Sequence, residues 1–219
     1  MSKHDKHQDN STLYVVLGTF LFASILIGAG VVSSQNAKNK PASEAVVVGA
    51  EPHSRGADQA PVTLSVFFDF SCSHCRDFSQ EVDSLLAVFP DSLKIVDRYF
   101  LLAGEAGPSE LAAEANEAAG AQGKYWEYQK LLWDNFGKMT RDDLISFART
   151  LGLDVDKFTS DLDGRVYRDR VLQDYNDGKT LGVAGTPTIY LNGKKHEGSF
   201  AIATLTTDIQ KELDSLSQP

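Results

Sequence analysis

Two cysteines separated by two residues are the most reactive side chains that the sequence places together. Cys72 and Cys75 are its only cysteines, and Ser73 and His74 lie between them. An apolar segment with strand character, Val62 to Phe70, ends just before the pair, and a pattern with helical period begins at His74. The spacing predicts that both thiols lie on the first turn of a helix that leaves the end of a buried strand.

That position favours an ionised sulfur atom. The first N–H groups of a helix have no partner within the helix, and the helix dipole is positive there. Both effects stabilise a thiolate at Cys72, and His74 adds positive charge when it is protonated. A dithiol whose reduced form is stabilised gives up its disulfide readily in thiol–disulfide exchange. The motif therefore predicts an oxidant with three catalytic residues, Cys72, Cys75 and His74.

Other roles for the cysteine pair are less well supported. A disulfide across this spacing closes a very short loop, so it gains little chain entropy as a structural link. Half of a zinc site is another alternative, but the remaining histidines show no metal-ligand spacing: His4, His7, His53 and His196. We therefore expect neither a metal ion nor a cofactor at the site.

The residues around the pair resemble a known family. Phe67-Phe68-Asp69-Phe70-Ser71, followed by Cys72-Ser73-His74-Cys75, resembles the active site of the DsbA-like thiol–disulfide oxidoreductases, which have a thioredoxin fold. Gly56 to Leu64 resembles that family's lead-in to its first core strand, and Gly123 to Tyr128 resembles part of its helical insertion. The resemblance extends over about residues 45 to 217.

A second motif lies far along the chain. Gly185-Thr186-Pro187-Thr188 resembles the thioredoxin-fold loop whose proline is cis and packs beside the Cys-x-x-Cys. The resemblance implies a cis Thr186–Pro187 bond and a Thr186 backbone that can pair with an extended substrate. The alternative is an ordinary proline at the start of a strand. We predict Thr186 and Pro187 as the substrate-binding residues.

Asp69, close to the end of the first strand, has two interpretations. It is either a solvent-facing or turn-capping carboxylate, or a proton acceptor near the thiols. Thioredoxins and many relatives carry a buried acid six residues before the first cysteine, where this sequence has Val66. The group that moves the proton is therefore left open by the sequence.

The fold class predicted from the pattern is α/β, preceded by one transmembrane helix, and the resemblance implies a thioredoxin-like fold with an inserted helical subdomain. Strand Val62–Phe70, helix His74–Phe89 and strand Leu93–Leu102 form a βαβ unit with a right-handed crossover. The helical insertion extends over about residues 106 to 181, and we expect the aromatic face of its segment from Lys124 to Trp133 to be core.

The end of the sequence predicts a hairpin and a last helix. Ile189 to Leu191 has strand character, Asn192-Gly193 is a hairpin turn, and Lys194 to Phe200 is the return strand. Ile202 to Leu216 has the period of an amphipathic helix.

The N-terminal part predicts a membrane anchor. Leu13 to Val32 contains no charged residue, and a helix of that length spans about 30 Å, the thickness of a bilayer core. A cleavable signal peptide is the alternative. The positive-inside rule gives almost no preference for either orientation, because the positive charges on the two sides of the span are nearly balanced. The lysines are Lys3 and Lys6 before it and Lys38 and Lys40 after it.

The expected chemistry decides the orientation, because a disulfide donor belongs in an oxidising compartment. Residues 1–12 are therefore expected in the cytoplasm, 13–32 in the cell membrane as a single pass, 33–44 as a linker, and the domain 45–217 on the extracytoplasmic side. Near the start of the domain, Ala45–Gly49 is predicted as an edge strand and Glu51–Ala60 as a loop.

The predicted function is the donation of the Cys72–Cys75 disulfide to exported, thiol-containing proteins through a mixed disulfide at Cys72. The net charge of −9 argues against a nucleic-acid partner, and we expect a monomer. The family resemblance implies reoxidation by a membrane quinone-linked partner. The alternatives are a reductase or isomerase, and a non-catalytic peptide-binding or chaperone module. Isomerases related to this fold usually dimerise through an extra N-terminal domain. The stretch between the predicted anchor and the first strand is too short for such a domain, so we expect an oxidase.

Overall fold

A five-stranded mixed sheet is the centre of the protein in the computed structural model, which describes residues 53–217. In chain order its strands are β1 (Ser54–Gly56), β2 (Val62–Phe68), β3 (Leu93–Tyr99), β4 (Thr188–Leu191) and β5 (Lys194–Lys195). The spatial order is β1-β3-β2-β4-β5. Strands β2 and β3 are parallel, and the other neighbours pair antiparallel.

Seven helices accompany this sheet within the described residues. They are α1 (Ser73–Val88), α2 (Pro108–Gly120), α3 (Tyr125–Asp134), α4 (Arg141–Thr150), α5 (Val155–Asp163), α6 (Arg168–Thr180) and α7 (Ile202–Leu216). Helix α1 connects the parallel strands β2 and β3, which confirms the predicted βαβ unit. Helices α2 to α6 lie between β3 and β4 in the chain and form the predicted helical insertion.

One core lies between the sheet and helices α1 and α7. Side chains of β2 and β3, such as Leu64 and Ile95, pack with Val82 and Leu85 of α1 and with Ile209 of α7. The positions in α1 recur at three and four residues, so they form one apolar stripe that faces the sheet. The end of β2 is thereby fixed against the start of α1, where the cysteines lie.

A second core joins the C-terminal ends of β2 and β3 to the helical insertion. Phe68 and Tyr99 pack there with Tyr128 and Trp133 of α3. The ring centres of Phe68 and Trp133 are 5.8 Å apart. Tyr125 of α3 is also buried, so the prediction that the aromatic face of this helix is core is confirmed.

A buried ion-pair network attaches the insertion to the sheet. Arg98 of β3 lies 2.8 Å from the Asp174 carboxylate of α6 and 2.6 Å from that of Asp177. Arg170, one turn earlier on α6, lies 2.7 Å from Asp174. The Asp174 carboxylate also accepts a hydrogen bond from the Tyr99 backbone N–H. Burial raises the pKa of Asp174, while Arg98 and Arg170 lower it.

The predicted loop from Glu51 to Ala60 is wrong at its centre, where Ser54–Gly56 forms the edge strand β1. Ser54 pairs opposite Val96, and Gly56 pairs opposite Lys94 of β3. Three small or polar residues carry no apolar alternation, so no strand pattern is visible there. Gly56 has φ +98°, and a side chain at this position would collide with the backbone of β3.

The predicted return strand from Lys194 to Phe200 is also too long, because only Lys194–Lys195 pairs with β4. The turn itself is confirmed, since Asn192 and Gly193 both have positive φ, as a tight hairpin requires. After the strand, the His196 ring hydrogen-bonds to Asp208 of α7 and the chain leaves the sheet.

No helix in the part of the chain from 53 to 217 is long and apolar enough to cross a bilayer. The predicted span at 13–32, the linker at 33–44 and the edge strand at Ala45–Gly49 lie outside the described residues and stay predictions.

Candidate active site

Cys72 is the N-cap of α1, directly after the turn that ends β2. Its backbone is extended (φ −89°, ψ 115°), and its Sγ accepts a 3.4 Å hydrogen bond from the Cys75 N–H. The Cys72 N–H donates to the Asp69 carbonyl oxygen over 3.0 Å. The sulfur of Cys72 therefore takes the place of the polar oxygen that usually caps a helix, where N–H groups and dipole favour a negative charge.

Cys75 lies in the first turn of α1 and is the more buried of the two free thiols. Its exposed fraction is 2%, against 8% for Cys72. Burial raises the pKa of the Cys75 thiol well above its usual range, although the Thr186 hydroxyl and the Asp69 backbone lower it. An incoming thiolate therefore reaches Cys72 first, and Cys75 prefers to carry a proton when it is reduced.

The predicted proline loop lies beside the thiols. The Thr186–Pro187 peptide bond is cis, which confirms that prediction. The Cys72 thiol donates a 3.2 Å hydrogen bond to the Thr186 carbonyl oxygen. Pro187 and Cys75 line the same cavity. Four of the five predicted site residues are thus brought together.

His74, the fifth predicted site residue, is exposed in the first turn of α1, between the two cysteines in sequence. Its position allows a protonated ring to add charge at the helix start. Its catalytic role stays a prediction.

Asp69 is a turn-capping residue, as one of its two interpretations held, but it is buried rather than solvent-facing. Its carboxylate accepts hydrogen bonds from the Ser71 N–H (2.6 Å) and hydroxyl (2.5 Å), from the Leu102 N–H (2.7 Å) and from the Ser109 hydroxyl (2.6 Å). The side chain therefore ties the end of β2 to the segment after β3 and to the start of α2. The role of the carboxylate is therefore structural, because its hydrogen bonds hold these three segments together.

Asp97 is a residue of the site that the sequence analysis did not single out. It lies on β3 directly opposite Val66 of β2, and it is buried. Its Oδ2 accepts a 2.6 Å hydrogen bond from Gln129 Nε2 of α3. Burial raises the pKa of the Asp97 carboxyl, whereas the Arg55 charge, the Gln129 hydrogen bond and the His53 charge lower it. An acid within a predicted core strand is the signal that could have found it.

A cavity of about 20 Å³ lies next to Cys75. Its walls include Asp97, Val66, Trp133 and Pro187. The Trp133 Nε1 atom is buried and has no hydrogen-bond partner among residues 53–217. A space of this size holds one water molecule, which needs two to four polar partners. Cys75, Asp97 and Trp133 each carry a polar group that could serve.

A wider groove of about 540 Å³ opens between α1 and α3. Arg55, Ser79, Gln129 and Trp133 line both this groove and the cavity. The Arg55 guanidinium lies 4.4 Å from the ring centre of Trp126, on the groove wall. The cavity beside Cys75 and the groove therefore share part of their walls.

The reactive atoms of this arrangement are the two cysteine sulfurs. Among the described residues, no group of three or more His, Cys, Asp and Glu side chains is placed to hold a metal ion. A capped sulfur, a buried second thiol and a carbonyl beside them can exchange a disulfide with another dithiol.

The sheet, the helical insertion and the cysteine pair next to a cis proline define a thioredoxin-fold protein with a Cys-x-x-Cys centre. The chain belongs to the thioredoxin family, because the family model described as thioredoxin matches residues 49–211. Membership of this family confirms the predicted fold class for the described domain.

Solved structures with the same fold include several thiol–disulfide proteins. A thioredoxin-like oxidoreductase from Silicibacter pomeroyi is 25% identical, with a TM-score of 0.67 over 81% of this chain and 98% of that one. BdbD from Bacillus subtilis is 22% identical, with a TM-score of 0.66 over 74% and 92%. The thiol-disulfide exchange protein alpha-DsbA2 from Wolbachia pipientis is 19% identical, with a TM-score of 0.66 over 77% and 90%.

Curated relatives at higher identity are much longer proteins. The Na(+)/H(+) antiporter NhaA 1 of Salinispora arenicola is 36% identical over 157 residues, which are 72% of this chain and 24% of the antiporter. The antiporter NhaA of Herminiimonas arsenicoxydans is 35% identical over 158 residues, or 72% and 25%. The chain thus spans about a quarter of the length of the curated relatives that it matches.

Proposed function

We propose that this chain is a thiol–disulfide oxidoreductase that donates its Cys72–Cys75 disulfide to thiol-containing exported proteins. The observation that carries the proposal is the position of the Cys72 sulfur, which caps α1 and contacts the Thr186 carbonyl oxygen. The capped position stabilises the reduced, thiolate form of this sulfur, and a dithiol with a stabilised reduced form is an oxidant. The solved structure from Wolbachia pipientis, which is named as a thiol-disulfide exchange protein, is consistent with this chemistry.

In the first step, a substrate thiolate attacks the Cys72 sulfur of the disulfide. The S–S bond to Cys75 breaks, a bond between the substrate sulfur and Cys72 forms, and the electron pair goes to Cys75. A second substrate thiolate then attacks the substrate sulfur in this mixed disulfide, and Cys72 leaves as a thiolate. The substrate is oxidised by two electrons, and the cysteine pair is reduced.

The Thr186 carbonyl offers a way to bind the substrate in one redox state and release it in the other. In the reduced protein it accepts a hydrogen bond from the Cys72 thiol. In the disulfide form Cys72 has no S–H to donate, so the carbonyl is available to the backbone N–H of an extended substrate. When the reduced Cys72 sulfur has taken up a proton, the internal hydrogen bond forms again and favours release of the oxidised product.

The cellular setting is part of the same proposal. An oxidant acts where disulfides persist, so we place the domain outside the cytoplasm, held by the span predicted at 13–32. Reoxidation would come from a membrane quinone-linked partner, as the resemblance to DsbA-like proteins implies. Ion transport is not proposed, because the similarity to the antiporters is limited to about a quarter of their length.

The test is peptide oxidation by the full-length chain. The wild type in its disulfide form should oxidise a reduced dithiol peptide, and Cys72→Ser should abolish the reaction. Ser84→Ala, an exposed change on the same helix, is the control that should leave the rate unchanged. Oxidation that survives in Cys72→Ser would refute the mechanism and favour a peptide-binding or chaperone module.

Equilibration with glutathione distinguishes an oxidase from a reductase. The reduction potential of the pair should lie closer to the roughly −120 mV of a strong oxidant than to the roughly −270 mV of thioredoxin. A potential as low as that of thioredoxin would favour the reductase alternative. Rearrangement of a scrambled disulfide substrate, faster than net oxidation, would favour the isomerase.

A further inference from the structure

We propose that Asp97 is the proton-transfer residue for Cys75, acting through one water molecule in the cavity that both residues line. The proposal rests on thiol–disulfide exchange at Cys72 and Cys75, and it assigns to that reaction a group that the family motifs of this sequence leave open.

The need for a proton follows from the burial of Cys75. When a thiolate attacks Cys72, the electron pair of the broken S–S bond goes to the Cys75 sulfur. Burial disfavours a charged sulfur there and raises the pKa of the thiol. A proton delivered as the bond breaks removes that charge, and general acid catalysis of this kind contributes on the order of 10²-fold or more to a rate.

Other candidate donors near the thiols are poorly placed for this task. The Asp69 carboxylate is occupied by four hydrogen bonds from the turn, the segment after β3 and the start of α2. His74 is exposed, whereas Cys75 is buried beneath the helix start.

Asp97 has both the position and the environment for the role. It lines the cavity next to Cys75, and the walls also carry the unpaired Nε1 atom of Trp133. One water molecule fits in about 20 Å³ and can bond to the Cys75 sulfur, the Asp97 carboxyl and the Trp133 N–H at once. Such a water connects the two reacting groups by hydrogen bonds.

The charged and polar groups around Asp97 allow it to hold and to release a proton. Burial favours its neutral form, while Arg55 of β1, Gln129 of α3 and His53 ahead of β1 favour the carboxylate. These opposing effects keep both protonation states accessible. On the side of Cys75, the groups are the Cys72 sulfur, the Thr186 hydroxyl and the Asp69 backbone.

The proposed step is balanced without a further reagent. The substrate thiolate forms a bond to Cys72, the S–S bond breaks, and the Cys75 sulfur receives the electron pair. The bridging water gives its proton to Cys75 and takes one from Asp97, which becomes a carboxylate. In the reverse direction the carboxylate takes the proton from the Cys75 thiol, which then attacks Cys72 and expels the substrate.

The groove between α1 and α3 supplies a route for reloading Asp97 from solvent. Arg55, Ser79, Gln129 and Trp133 line both the cavity and the groove, so the two spaces are neighbours that share part of their walls. Gln129 hydrogen-bonds directly to the Asp97 carboxyl. A rotation of one of these side chains would bring bulk water to the cavity.

The main test is the pH dependence of one reaction in the full-length chain. The disulfide form is mixed with a reduced thiol peptide, its reduction is followed by tryptophan fluorescence, and the rate is divided by the concentration of peptide thiolate. The wild-type rate should fall as pH rises through the titration of Asp97. Asp97→Asn should be slower by on the order of 10²-fold at acidic pH, without that inflection, and should meet the wild type at alkaline pH.

A second variant tests the identity of the titrating group independently. Arg55→Gln removes the positive charge that most lowers the pKa of Asp97, so the inflection should move to higher pH while the rate at acidic pH persists. Asp134→Asn is the matched control. It removes one carboxylate from the groove wall, where it pairs with Lys130 outside the cavity, and it should leave the profile unchanged.

The proposal is overturned if Asp97→Asn keeps the wild-type profile, or if Arg55→Gln leaves the inflection in place. Either result in a protein that oxidises the peptide leaves the proposed function intact. Failure of the wild type to oxidise the peptide at any pH refutes the proposed function instead.

Discussion

The Cys72 sulfur lies 3.2 Å from the carbonyl oxygen of Thr186, although 114 positions separate the two residues in the chain. The whole helical insertion is placed between them in sequence, and the closure of the sheet brings β4 back beside β2. The thiol that starts α1 and the loop that starts β4 therefore form one site.

The two thiols should react very differently with an alkylating agent. Iodoacetamide should modify Cys72 in the reduced native protein and leave Cys75 unmodified, because burial both shields Cys75 and raises the pKa of its thiol. The thiolate fraction of Cys75 grows with pH, so its slow labelling should accelerate only in alkaline solution. Peptide mapping by mass spectrometry measures both rates.

Cys72→Ser is the matched control for that experiment, since it leaves Cys75 as the sole thiol. Cys75 should still resist labelling in the native state and react fully in denaturant. Equal labelling of the two cysteines in the native wild type would contradict the assigned roles.

Replacing Asp69 should destabilise the protein without touching either sulfur. Asp69→Ala leaves the buried Leu102 N–H and the Ser109 hydroxyl without their acceptor. We expect a loss of roughly 3 kcal/mol in the free energy of unfolding, measured by urea denaturation. Ser109→Ala removes only one donor and should cost about 1 kcal/mol. Similar losses for the two variants would mean that the carboxylate is not the common acceptor.

Asp97→Asn should increase the free energy of unfolding at neutral and alkaline pH. Burial raises the pKa of Asp97 in the folded state. This group therefore adds to the stability of the wild type only at a pH low enough to protonate the carboxyl in both the folded and the unfolded protein. That contribution is lost as pH rises through the folded-state pKa. The neutral amide avoids this loss, and the difference between the proteins should vanish in acid.

Urea denaturation at a series of pH values measures the effect of Asp97→Asn. A variant that is less stable than the wild type at alkaline pH would show that Arg55 and Gln129 outweigh burial at this position. A higher free energy of unfolding in Asp97→Asn would show that the carboxyl at this position lowers the stability of the wild type.

The buried ion pairs between β3 and α6 should contribute strongly to stability. Asp174→Asn leaves Arg98 and Arg170 without the carboxylate that both contact. The expected loss is about 3–5 kcal/mol, because Arg170 loses its carboxylate partner and Arg98 keeps only that of Asp177. Asp163→Asn removes the partner of Arg141 at the surface and should change the unfolding midpoint little. A small effect of Asp174→Asn would contradict the burial of the network.

The local parts of the site could be predicted from sequence because they depend on neighbours in the chain. The spacing of Cys72 and Cys75 after an apolar strand indicates the helix start, and the motif around Pro187 indicates the second loop. The sequence indicates only one part of the role of Asp69. Its position before Ser71 suggests a turn cap, but its donors Leu102 and Ser109 come from outside that turn.

The placement of Asp97 could not be predicted because it depends on register. A strand that is shifted by one residue presents the other set of side chains to the same face. The pairing of Val66 opposite Asp97, together with the cavity that Asp97 and Cys75 both line, shows that the acid lies near the thiol. The strand β1, which brings Arg55 to the same cavity, has no apolar pattern at all, so the sequence predicts a loop there.

The N-cap position of Cys72 couples helix integrity to electron transfer. A thiolate is a charge-assisted acceptor for the Cys75 N–H, whereas a disulfide sulfur is only a weak one. The start of α1 is therefore more firmly closed after the protein has given its disulfide away than before. Any substitution that loosens this helical turn should thus weaken the protein as an electron acceptor, even if it never approaches the sulfur.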